Sequence, residues 1–95
     1  MSPELKAALE AWLKDATSAR PSSDVMQFGL CSYVAWRASN YEKRELRDML
    51  VEEFGEDNYC FPFGEGAYSE DGRNYQQHKN PRRLAWVRAK LEEAA

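Results

Sequence analysis

DVMQFGLCSYVAWRA, residues 24–38, decides the fold. Between Asp24 and Ala38 only Gln27, Ser32 and Arg37 are polar side chains, against Val25, Met26, Phe28, Leu30, Cys31, Tyr33, Val34, Ala35 and Trp36. A helix that is apolar nearly all round has to be surrounded by other elements. The stretch therefore reads as the central core helix, opened by Asp24 and Gln27 at capping-box spacing. Gly29 inside it costs about 1 kcal/mol relative to Ala, and close approach by another backbone or an aromatic ring would account for it.

Working outward, an amphipathic helix is expected on either side. Ser2 followed by Pro3 starts the first, because Pro at the first helical position lacks an N–H that would have no helical acceptor and Ser caps the N–H groups behind it. Leu5, Ala8, Leu9, Trp12, Leu13 and Ala16 then recur at the three-four spacing of one face. This helix should end between Thr17 and Ala19, ahead of Pro21. On the other side, Ser39 and Glu42 repeat the capping-box spacing and open a helix over Asn40–Phe54, with Leu46, Met49, Leu50 and Phe54 facing inward and Gly55 closing it. Glu42, Lys43, Arg44, Glu45, Arg47 and Asp48 alternate in sign and read as a solvated face.

From Glu56 to Lys79 helical periodicity is absent, yet Tyr59, Phe61, Phe63, Tyr68 and Tyr75 are too much aromatic surface to leave in water. An ordered Ω-like loop, or a short β-ribbon pairing Tyr59 to Phe63 with Ala67 to Tyr68, is expected there. Asn80-Pro81 opens the last helix, Pro81 to about Glu93, which buries Leu84, Val87 and Leu91 with Ala85 and Trp86 alongside. The expected architecture is mainly α: a compact bundle of four helices with one long aromatic-rich loop between the third and fourth, forming a single domain over residues 1–95.

Composition narrows the function classes. Ninety-five residues leave no room for a second core, which excludes the large cofactor-binding folds. A net charge of −3 argues against holding nucleic acid by bulk electrostatics. The apolar runs, such as Tyr33 to Trp36, are far too short to cross a bilayer, and Met1-Ser2-Pro3-Glu4 has neither the basic nor the apolar region of an export signal. The expectation is a cytoplasmic protein without membrane contact, with Cys31 and Cys60 as free thiols.

No constellation demands chemistry. One His and two widely separated Cys do not make a zinc site, and Asp57, Glu65, Glu70 and Asp71 lack the ligand geometry of a calcium loop. No metal and no cofactor is expected. Cys60 and His78 share the loop, but no third orienting group or oxyanion hole accompanies them. Cys60 reads instead as a small apolar filler and His78 as a polar brace at the start of the last helix, and the chain is read as non-enzymatic.

Charge is uneven. Glu52, Glu53, Glu56, Asp57, Glu65, Glu70 and Asp71 occupy a stretch without a basic residue, and Lys79, Arg82, Arg83, Arg88 and Lys90 follow without an acidic one. Either the basic helix is neutralised by the acidic loop of its own chain or of another copy, or it meets an acidic protein or a phosphate backbone. A helix-turn-helix joined at Ser39-Asn40 would place Lys43, Arg44 and Arg47 on its reading helix, but Glu42, Glu45 and Asp48 interleave with them and would repel phosphates.

Gly29-Leu30-Cys31, Leu46-Arg47-Asp48-Met49-Leu50, Tyr59-Cys60-Phe61-Pro62-Phe63-Gly64, Tyr68 and the run His78-Lys79-Asn80-Pro81-Arg82-Arg83-Leu84-Ala85-Trp86-Val87 together resemble small uncharacterised proteins of tailed bacteriophages and prophages, over about residues 28 to 91. The resemblance implies a bacterial cytoplasm during infection or from a prophage, and it brings no catalytic residues. It points to a phage accessory protein that binds a host, defence or phage protein. The contact surface would comprise Tyr59, Phe61, Phe63, Tyr68 and Tyr75 of the loop with His78, Arg82, Arg83, Trp86 and Arg88 of the basic helix and its approach. Self-association is an open alternative. So is a small nucleic-acid-binding protein using Arg82, Arg83 and Arg88 of the C-terminal helix, with Arg44 and Arg47.

Overall fold

A computed structural model describes residues 1–54, 77–79 and 81–95. Within them the protein is helical, with α1 Pro3–Ala16, α2 Ser23–Gln27, α3 Leu30–Arg37, α4 Asn40–Phe54, a 3-10 turn Gln77–Lys79 and α5 Pro81–Glu93. No strand occurs among the described residues. The expected aromatic loop, its β-ribbon and the closing Gly55 lie outside the described residues.

α1 starts where the sequence places it. Ser2 is extended, and its hydroxyl oxygen accepts from the Leu5 N–H at 3.1 Å ahead of Pro3. Leu5, Ala8, Leu9, Trp12 and Ala16 are buried along one face. At its end the Thr17 hydroxyl donates to the Leu13 carbonyl at 2.7 Å, closing the last turn. Asp15 then holds the reversal: its carboxylate accepts the Ser22 backbone N–H at 2.8 Å and also the Ser22 hydroxyl.

The stretch 24–38 is not one helix. Ser22, not Asp24, is the cap of α2, accepting from the Val25 N–H at 3.4 Å. After Gln27 the chain leaves helical geometry for two residues, Phe28 at φ −106°, ψ 150° and Gly29 at φ −69°, ψ 163°. Gly29 is the N-cap of α3, with no side-chain oxygen to bond the first N–H groups. The glycine thus marks a helix boundary rather than a tight contact inside a helix, as its low helix propensity permits.

That break moves the centre of the molecule. The helix in contact with all the others is α1, which packs on α2, α3, α4 and α5, while α3 packs on α1, α2 and α4. Leu5, Leu9 and Trp12 of α1 meet Val25, Leu30, Cys31, Tyr33 and Val34, then Leu46 and Leu50 of α4, then Trp86 and Val87 of α5 in one core. Met49, Leu84 and Leu91 are partly buried at its margin.

Glu42 departs from the solvated face that charge alternation suggests. It is 7% exposed, accepting from the Ser2 hydroxyl at 3.3 Å and from the Ser39 hydroxyl. Ser39 in turn caps α4, accepting from Tyr41 N–H at 3.2 Å and Glu42 N–H at 3.4 Å. One carboxylate therefore joins the caps of α1 and α4. Glu45, one turn on, accepts the Ser2 backbone N–H at 3.1 Å.

Candidate protein-binding surface

The residues expected at a contact surface separate into three groups. Tyr59, Phe61, Phe63, Tyr68 and Tyr75 lie outside the described residues. Arg82 and Arg88 are exposed on α5. His78, Arg83 and Trp86 are interior, at 3%, 1% and 8% exposure. α5 repeats its buried positions at Arg83, Trp86 and Val87, one turn apart, so the helix face that carries Val87 into the core carries Arg83 with it. The basic helix consequently presents fewer cations than its sequence suggests.

His78 sits in the 3-10 turn, which packs on α2 and α5. Burial pushes its imidazole below the ordinary histidine value of 6.5, Lys79 adds to the shift, and Asp15 opposes it. Among the described residues no group of three or more His, Cys, Asp and Glu is placed to hold a metal ion. No helix of the described residues is long and apolar enough to cross a membrane.

The aromatic surface that the fold does expose lies elsewhere. Trp36 of α3 is 68% exposed, and its ring lies 5.4 Å from that of Phe28, tilted by 31°. Phe28 and Met26 are themselves exposed in part. The two-residue extension at Phe28 and Gly29 is what swings Phe28 out of the helical path and beside Trp36. Behind them Arg37 is held on both sides: its guanidinium lies 3.6 Å from the Tyr33 ring centroid and bonds the Asp24 carboxylate at 3.5 Å. Burial pushes the Tyr33 phenol above its ordinary value of 10.0, Arg37 opposes this, and Asp15 and Asp24 reinforce it.

A groove of about 740 Å³ adjoins Arg37. Ala7, Ala8 and Ala11 of α1 and Ala38 form its apolar lining, with Tyr41 of α4, itself 68% exposed, and Glu4 also lining it. Sequence reasoning placed Trp36 in the core because it treated residues 24–38 as one apolar cylinder. The signal that separates them is Ser32: it and Trp36 stand four residues apart on one helix face, opposite Leu30 and Val34. Comparison of the chain with protein-family models, with curated proteins and with solved structures gives no match.

Proposed function

We propose that this chain is a small phage or prophage accessory protein, non-enzymatic, that binds a host or defence protein through the face formed by Phe28 and Trp36, with the Tyr41 groove as an extension. The observation that carries the reading is Trp36, 68% exposed in a domain whose other described tryptophans are buried. A Trp stacked on a Phe is a preformed anchor: it presents a large apolar area with little side-chain freedom left to lose. Trp, Tyr and Arg dominate the energy of protein interfaces, and Trp36, Tyr41 and Arg37 are of those types. The resemblance to phage-encoded small proteins supports the setting.

Photo-crosslinking in bacterial cells from a reactive phenylalanine analogue at position 36 tests this. A crosslinked protein other than the chain itself is expected, and its affinity for purified chain should fall at least tenfold in Phe28→Ala, Trp36→Ala. Crosslinks only between copies of the chain, or a partner bound equally well by the double variant, would overturn the assignment.

A further inference from the structure

We propose that the stripe Asn40, Lys43, Arg44 and Arg47 on the first half of α4 is a binding surface for the phosphate backbone of nucleic acid. The proposal goes beyond protein binding through Phe28 and Trp36 and uses different side chains. These four residues line one hollow of about 220 Å³. Spaced by three and four, they form a single row along the helix, about 10 Å from first to last.

Charge sorting across α4 makes this row cationic. In sequence the carboxylates of Glu42 and Glu45 interleave with the basic residues and stand against phosphate binding. In the fold both turn toward Ser2, where Glu42 bonds the Ser2 and Ser39 hydroxyls and Glu45 accepts the Ser2 N–H. Lys43 and Arg44 make no ion pair among the described residues. Arg47 meets Asp48 at 3.8 Å in a pair exposed on both sides, which salt screens and a phosphate can replace. For Glu42 and Glu45 the local objection to an anion is thus met by hydrogen bonding; among the described residues Asp48 stays exposed beside Arg47 and is the one carboxylate left next to the row, and the whole chain is net negative.

The lining also distinguishes the kind of anion. Three cations and one amide supply N–H donors, and no aromatic or aliphatic residue lines the hollow. A protein partner with acidic groups would want an apolar anchor at the centre of its contact. Phosphate-backbone contacts need only charge and donors, and their strength follows the number of phosphates neutralised.

Fluorescence anisotropy with the full chain, using a labelled mixed-sequence DNA duplex and the corresponding single strand, tests the proposal. Binding at about 25 mM salt should weaken with a log–log slope of roughly −2 to −3, the value for about three phosphate contacts. Lys43→Ala, Arg44→Ala should weaken it at least tenfold and flatten the slope by about 2, while Arg88→Ala on α5 leaves it nearly unchanged. Circular dichroism confirms that the variants are folded, and the slope on the unaltered chain is a readout that needs no variant. Absence of binding at low salt, equal displacement by polyglutamate and DNA, or a greater loss in Arg88→Ala than in the α4 variant would each overturn it.

Discussion

His78 is an imidazole that burial keeps neutral, and this ties stability to pH with a definite sign. The unfolded chain takes up a proton near the ordinary value of 6.5, and the folded chain does so only at lower pH. Stability is therefore full above that value and is lost as pH falls through the folded-state value, because the unfolded state binds more protons over the interval. Among the charged groups facing it, Lys79 works in the same direction and Asp15 against it. Urea midpoints followed from about pH 7.5 to about pH 5 should fall more steeply for the natural chain than for His78→Gln; parallel curves would remove His78 as the cause. Gly29 and Trp36 show what single residues disclose. The glycine was legible as an exception within an apolar run, but whether it meets a neighbour or ends a helix depends on ψ at Phe28 and Gly29, which composition does not encode. Trp36 falls in the core when residues 24–38 are taken as one surrounded helix; with the break at Phe28 and Gly29 the second half is a separate short helix that buries Leu30 and Val34 and leaves Trp36 outside.

At the scale of elements, both ends of α1 and the starts of α4 and α5 are legible because each is written in local chemistry. Ser2-Pro3, the Ser39–Glu42 spacing and Pro81 act through the N–H groups nearest them, independently of the rest of the chain. What α1 does was not legible. Its narrower apolar face made it look peripheral, yet a helix touched along that face by four others needs no second apolar side, whereas α3 is long enough to bury only one of its own. Glu42 is the strongest case of context overruling pattern: its capping role was expected, its link to Ser2 was not. Truncating it takes the carboxylate acceptor from the Ser2 and Ser39 hydroxyls, of which Ser2 is half-buried and Ser39 exposed, so Glu42→Ala should lower stability by about 1–2 kcal/mol, measured by urea unfolding. A double-mutant cycle should find Glu42→Ala and Ser2→Ala strongly non-additive. Additive losses would mean that the two groups act separately.

Over the whole molecule, the mainly helical class and the residues of the core were readable from apolar spacing, since burial of Leu5, Leu9, Trp12, Leu46, Leu50 and Val87 follows that spacing. The exposed face at Phe28 and Trp36 was not, because it depends on how faces are shared out among helices once they pack. Trp12 and Trp36 give the contrast a measurable form. Trp12→Ala empties the centre of the core and should cost about 3–5 kcal/mol. Trp36→Ala removes only the stacking on Phe28 and should cost about 1 kcal/mol or less. Comparable losses in thermal or urea unfolding would place Trp36 among the residues that hold the fold together and overturn the anchor role proposed for it.

The carboxylate shared by Ser2 and Ser39 also links two helix starts that are far apart in the chain. Fraying of the first turn of α1 withdraws a hydroxyl from Glu42, which also bonds the Ser39 hydroxyl at the start of α4, so hydrogen exchange in the two turns should rise together. The second of them carries Asn40, Lys43 and Arg44. A ligand gripping that row should slow exchange at the beginning of α1 as well, across a chain separation of 40 residues.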